Sequence, residues 1–104
     1  MKSIAILIKD KSAATPAALR YARALVNSDC APVRVFFYGR GVCQAKEAIN
    51  IDWRELHRSY GISLTLCSAS AEGFGIRSDT EFDVAGLGEL ISDGLKGTRV
   101  ISFG

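Results

Sequence analysis

The stretch GISLTLCSASAEGFG, residues Gly61 to Gly75, contains the change of pattern that decides the fold of this chain. Its first half, up to Cys67, is short, largely apolar and rich in branched side chains, which is typical of a buried strand. Small and polar residues follow at once, so we expect the strand to end at the cysteine. A thiol in that position is either a small hydrophobic residue of the core or a nucleophile at the mouth of a site.

Further strands are predicted in three other short apolar runs, at residues 3–8, 33–38 and 99–103. The short run Phe82 to Ala85 is a possible fifth strand. Residues 68–80 are the least regular part of the chain, because Gly, Ser and charged residues interrupt both the strand and the helix period.

Helical patterns separate the predicted strands. The segment 12–28 has Ser12 or Thr15 as a possible N-cap and Pro16 in its first turn. Three shorter helical patterns follow at residues 42–49, 51–60 and 86–97, and Gly61 is expected to end the middle one. The alternation of strands and helices predicts the α/β class, as a three-layer α/β/α sandwich around a mainly parallel sheet of four to five strands in one domain, residues 1–104.

The composition is that of an ordinary globular domain. The chain has 104 residues, 48% hydrophobic and 23% charged, with a formal net charge of +2 and no block of like charge, so we expect no nucleic-acid partner. The apolar run at residues 4–8 is too short for a signal peptide or a membrane span, which predicts no membrane association. Three cysteines without paired spacing argue against a disulfide framework or a metal site and favour the cytoplasm.

Candidate site residues come from the sheet edge at which the carboxyl ends of parallel strands meet, because sites of open parallel sheets form there. Cys30 precedes the second strand and belongs to the opposite edge. Cys67 is the predicted catalytic residue, and the residues expected to line its site follow the first, second and third strands, namely Lys9, Tyr38, Arg40, Gly41, Cys43, Ser68 and Ser70.

The chemistry available to Cys67 depends on its pKa, since the thiolate is the nucleophile. Backbone N–H groups of SASAEG, residues 68–73, would stabilise the thiolate if they form a helical turn or a nest. Lys9, Lys11, Arg40 and Arg77 are candidates for added positive potential. A buried and inert cysteine is the alternative, and the sequence leaves both open.

Other motifs carry no second chemistry. The arginine spacing after Cys67 does not fit a phosphatase loop, and Gln44 interrupts the dinucleotide pattern hinted at by two glycines after the second strand. The only histidine, His57, is expected at the surface or as a helix cap, and Trp53 and Tyr60 in the core or an interface. Sulfur transfer suits a thiol without an acid or base beside it, because a persulfide forms and passes on by thiolate attack.

Three segments resemble the DsrE/DsrF-like sulfur-relay family, and within it the TusD-type sulfurtransferase subunits. They are VFFYGRGVCQA at residues 35–45, HRSYGISLTLCSASA at 57–71 and FDVAGLGELISDGLKGTRVISFG at 82–104. The resemblance implies an α/β/α sandwich, no cofactor, and a persulfide carried on Cys67. It also implies partner proteins with reactive cysteines as sulfur donor and acceptor, and a homo- or hetero-oligomer such as a trimer or hexamer.

The function expected from this resemblance is a sulfur-relay protein. Cys43 is expected to be idle, with a disulfide to Cys67 or sulfur acceptance as the alternatives. Some members of the family lack the cysteine, so a non-catalytic assembly subunit is the second reading of the chain. A small-ligand or nucleotide-binding module that uses the glycine turns is the third.

Overall fold

The computed structural model describes residues 4–9, 14–27, 33–46, 50–86, 88 and 99–103. Five strands lie in this part of the chain, β1 Ile4–Ile8, β2 Val33–Phe37, β3 Ser63–Cys67, β4 Phe82–Ala85 and β5 Arg99–Phe103. Three α-helices, α1 Ala14–Asn27, α2 Asn50–Tyr60 and α3 Ser68–Gly73, and the 3₁₀ helix Gly39–Ala45 connect them. The elements alternate as predicted, and the possible fifth strand is present.

The five strands form one sheet in the order β4-β3-β2-β1-β5, and all four pairs are parallel. This confirms the α/β class. Parallel neighbours need crossover connections, which is why a helix stands between the successive strands from β1 to β4. The carboxyl ends of the strands meet at one edge, where Ile8 pairs with Phe37 and Phe37 with Leu66.

One face of the sheet carries the main hydrophobic core. Alternate residues of β1, β2 and β3 point to it, because side chains of a strand alternate between the two faces. The helices α1 and α2 cover this face, and Trp53 of α2 packs edge-on against Phe37 with ring centroids 5.5 Å apart. The Trp53 Nε1–H donates to Oε1 of Gln44 at 3.0 Å, so the polar atom of the buried indole is satisfied.

The helix ends follow the sequence signals in part. Gly61 ends α2 as predicted, with φ +73° and its N–H donated to the His57 carbonyl at 2.9 Å. The prediction of Thr15 as an N-cap is wrong, because α1 already begins at Ala14; Ser12 lies outside the described residues. The predicted helix at residues 42–49 is a 3₁₀ helix that starts earlier, at Gly39.

The opposite face of the sheet is where Cys67 lies. Phe36, Thr65 and Cys67 occupy alternate positions to the main core residues, and all three are buried. The predicted last helix, residues 86–97, falls almost wholly outside the described residues, apart from Gly86, which is in no helix or strand, and Gly88, which is helical. In the described part of the chain no helix has the length and apolar character needed to cross a membrane.

Candidate functional site

Cys67 is the last residue of β3 and the N-cap residue of α3. The segment predicted to be irregular begins as this helix, which spans the six residues of SASAEG, so its first N–H groups face the end of the strand. Only 4% of Cys67 is exposed, whereas Ser68 and Ala69 directly after it are exposed. The thiol therefore lies close beneath the surface at the carboxyl edge of the sheet.

The surroundings of Cys67 favour its thiolate. Burial is the largest single effect and raises the pKa, but the N–H and hydroxyl of Ser70 and the N–H of Ala69 together outweigh it, so the pKa lies below its usual value of 9.0. The side chain makes no capping hydrogen bond of ordinary geometry to these amides. They act through their proximity to the sulfur, as hydrogen-bond donors do on a developing anion.

Ser70 joins the thiol to the turn after β2. Its hydroxyl oxygen accepts a hydrogen bond from the Gly39 N–H at 2.9 Å. A hydroxyl carries one hydrogen and two lone pairs, so the Ser70 hydrogen stays available for the sulfur of Cys67. Ser70 is one of the residues predicted to line the site. The hydrogen bond from the Gly39 amide was not predicted, although the two closely spaced glycines after β2 were an available signal for it.

The turn after β2 is packed against the end of β1. The Gly41 N–H donates to the carbonyls of Lys9 at 3.2 Å and Tyr38 at 3.0 Å, and the Tyr38 N–H donates to the Ile8 carbonyl at 2.9 Å. A Cβ on Gly41 would collide with the Ile8 carbonyl oxygen, and one on Gly39 would lie 2.9 Å from that of Lys9. Glycine is therefore required at both positions by close backbone approach.

The predicted lining residues divide into two groups. Ser68, Ser70 and Tyr38 lie at or directly beside the end of β3, since Tyr38 follows the Phe37–Leu66 pair in register, whereas Gly41 lies against the end of β1. Lys9 and Arg40 are at the same sheet edge but exposed, and neither contributes to the lowered pKa of Cys67. Cys43 is half-buried in the 3₁₀ helix, and both it and Cys67 are free thiols.

The remaining predicted roles are resolved by burial and hydrogen bonding. His57 Nδ1 lies 2.8 Å from the Ile62 carbonyl, which only accepts, so the ring donates and links α2 to the residue before β3; this carbonyl lies beyond the helix, so the bond is not a helix cap. Trp53 is fully buried in the core, whereas Tyr60 is 54% exposed, which excludes the core and leaves its alternative, an interface, as a prediction. Within the described ranges, no group of three or more His, Cys, Asp or Glu side chains is arranged to hold a metal ion.

A family model described as the DsrE/DsrF-like family matches residues 2–103 of this chain. The sulfurtransferase TusD of Salmonella arizonae is 31% identical to it, over 83% of this chain and 85% of that protein. The sulfurtransferase TusD of Salmonella typhi is 30% identical over the same shares.

Among solved structures, the crystal structure of the ychN protein from E. coli has a TM-score of 0.86 and covers 99% of this chain and 100% of that one. At 21% identity this is a likeness of fold. The parallel sheet, the length of the family match and the identity to the two Salmonella proteins agree, and this chain belongs to the DsrE/DsrF-like family.

Proposed function

We propose that this protein is a sulfur-relay protein that accepts sulfane sulfur on Cys67 as a persulfide and transfers it to a partner thiol. The observation that carries the proposal is the set of three donors, two from Ser70 and one from Ala69, that lowers the pKa of a thiol at the carboxyl edge of the sheet. The relatives named sulfurtransferase TusD support the same role.

The proposed reaction consists of two displacements at sulfur. The Cys67 thiolate attacks the terminal sulfur of a donor persulfide, an S–S bond to Cys67 forms, and the donor's S–S bond breaks. The donor leaves as a thiolate and takes up a proton from solvent. An acceptor thiolate then attacks the outer sulfur of the Cys67 persulfide, and Cys67 leaves as the thiolate from which it started. Neither step needs an oxidant or reductant, because the oxidised sulfur itself moves.

The role of carrier rather than complete enzyme follows from what surrounds the thiol. Among the described residues, no acid or base side chain shifts the pKa of Cys67, and the His57 ring is engaged with the Ile62 carbonyl. The Ser70 and Ala69 donors stabilise the attacking and leaving thiolate, which is the main requirement of sulfur exchange. The partners would be donor and acceptor proteins with reactive cysteines.

The setting of this function is also proposed. We place the protein in the cytoplasm, where thiols stay reduced, as a single domain over residues 1–104. Assembly into a homo- or hetero-oligomer, a trimer or hexamer, belongs to the same proposal. Exposed apolar side chains such as Ile51, 67% exposed, and Phe74, 48% exposed, support an interface.

Persulfide loading tests the proposal directly. The intact protein is incubated with a low-molecular-weight persulfide and its mass is measured. We expect the wild type and Cys43→Ser to gain the mass of one sulfur atom and Cys67→Ser to gain none. Loading of Cys67→Ser, or no loading of the wild type, would contradict the assignment.

The low exposure of Cys67 favours a second candidate function, a non-catalytic assembly subunit with an idle buried thiol. The pH dependence of alkylation separates the two. A rate midpoint below the usual thiol value supports the relay, because burial without effective donors would raise the pKa instead. The same experiment on Cys67→Ser assigns the observed rate to this thiol.

A further inference from the structure

A groove of about 360 Å³ lies beside the end of α3, and the proposed sulfur chemistry does not use it. Ala45 and Lys46 form one side and residues 75–79 form the other. Its volume is at the lower end of pockets that hold a whole small molecule and is much larger than a single anion needs. A Cβ on Gly75 would point into open space, so none of the described residues fills the groove at that position.

Two short helices, the 3₁₀ helix Gly39–Ala45 and α3, run side by side from the site of Cys67 to the groove. At their starts the Gly39 N–H donates to Oγ of Ser70 at 2.9 Å, and at their ends Lys46 Nζ donates to the Gly75 carbonyl at 3.3 Å. The six residues of α3 separate Cys67 from the groove, a length of about 9 Å at the rise of an α-helix. That distance corresponds to about three residues of an extended chain.

The hydrogen-bonding groups of the groove are mostly donors. Asp79 is the one carboxylate among the described residues that line it, and both of its oxygens already accept hydrogen bonds. The Arg54 guanidinium binds both of them, at 2.6 and 3.1 Å, and Oδ1 also accepts the N–H groups of Glu81 and Phe82, each at 2.9 Å. The negative charge of the groove is therefore neutralised from within the chain.

The cations of the groove are not neutralised in this way. Lys46 bonds to the Gly75 carbonyl, which carries no net charge, and Lys46 is exposed. Arg77 is exposed as well, and within the described ranges its guanidinium pairs with no carboxylate. The exposed hydroxyl of Ser78 is a further donor. In the described part of the groove, two positive charges without a carboxylate partner stand against one neutralised carboxylate, which predicts an anionic ligand.

We propose that this groove binds an acidic side chain of the polypeptide that exchanges sulfur with Cys67, about three residues from that polypeptide's reactive cysteine. The inference rests on the proposed function, because that function supplies a partner cysteine at Cys67. The volume of the groove fits a segment of chain better than an isolated ion.

Binding is tested first, with probes that cannot exchange sulfur. The acetylated and amidated tetrapeptide Ser-Gly-Gly-Asp, its Ser-Gly-Gly-Asn counterpart and inorganic phosphate are titrated into the isotope-labelled protein. We expect the acidic peptide alone to shift the amide resonances of Gly75, Arg77 and Ser78. The shifts should be lost in Lys46→Gln and Arg77→Gln and kept in Arg20→Gln, which removes an exposed charge on α1. Equal shifts with phosphate or with the neutral peptide would overturn the proposal.

Transfer is tested second, after loading of Cys67 has been verified by mass. The peptide Cys-Gly-Gly-Asp should remove the sulfur about fivefold faster than Cys-Gly-Gly-Asn at low salt, in line with a pair of exposed charge contacts. Either groove substitution should reduce this preference below about twofold, and Arg20→Gln should preserve it. If loading succeeds and no preference is seen, the groove proposal fails alone. If loading itself fails, the proposed function fails, and the peptide titration still decides whether the groove binds.

Discussion

Replacement of Gly41 by alanine should strongly destabilise the protein, because the turn after β2 touches the end of β1. The added Cβ would collide with the Ile8 carbonyl oxygen and lie 3.1 Å from its carbonyl carbon. Both are backbone atoms inside the sheet, so no side chain can rotate away. We expect a loss of about 3 kcal/mol, the upper end of the usual range for overpacked sites. That is a large share of the ~5–15 kcal/mol by which a domain is stable.

The measurement is urea unfolding followed by circular dichroism, at one protein concentration because assembly would shift the midpoint. The melting temperature should also fall by more than about 10 °C for a domain of this size. Gly73→Ala is the matched control, since a Cβ there meets nothing within 4 Å and the position lies in α3. It should leave stability within about 0.5 kcal/mol of the wild type. A Gly41→Ala variant as stable as Gly73→Ala would refute the close approach of turn and strand.

Two further predictions concern the thiol and the ion pairs. Ser70→Ala should raise the pKa of Cys67, because the hydroxyl donor is lost, and the pH midpoint of the alkylation rate should rise with it. Ser68→Ala is the control. An unchanged midpoint in Ser70→Ala would show that the hydroxyl does not stabilise the thiolate. Asp79→Asn should lower the free energy of unfolding by about 1 kcal/mol at pH 7, a modest loss because the Asp79 side chain is 41% exposed. Hydrogen bonding from Arg54 lowers the pKa of Asp79 in the folded protein far below 3.8, its value in the unfolded chain. The ion pair therefore contributes fully to the free energy of unfolding above pH 3.8, and this contribution disappears as the pH falls towards the pKa of the folded state. The difference between the variant and the wild type in urea should narrow below pH 3.8, and a constant difference would contradict the ion pair.

The central strands β1, β2 and β3 could be predicted from the sequence because they are largely buried on both faces. Short apolar runs such as those of β1 and β3 have few alternatives in a chain of this length, and their bounds differ from prediction by one residue. The order of the strands was not predictable, because all pair in the same direction and the runs look alike. Position at the end of β3 likewise marked Cys67 as the candidate site residue, since the carboxyl edge follows from parallel pairing.

Contacts between segments that are distant in the sequence could not be predicted from local sequence patterns. The Gly39 bond to Ser70 spans 31 residues, and the Arg54 pair with Asp79 spans 25. The helix α3 could be offered only as one alternative beside a nest, because six small and polar residues carry too little periodicity to decide between them. No role was predicted for Lys46, because only the fold brings its ammonium group to the Gly75 carbonyl.

The Cys67 side chain faces away from the main hydrophobic core, so the fold of this domain does not depend on which small side chain stands at that position. The large interlocking side chains, such as Trp53 and Phe37, lie on the other side of the sheet and do not depend on the sulfur. Exchange of the thiol for a hydroxyl or methyl group would therefore leave the scaffold intact. The thiol at this position can therefore be kept or lost in the course of evolution without a change of fold.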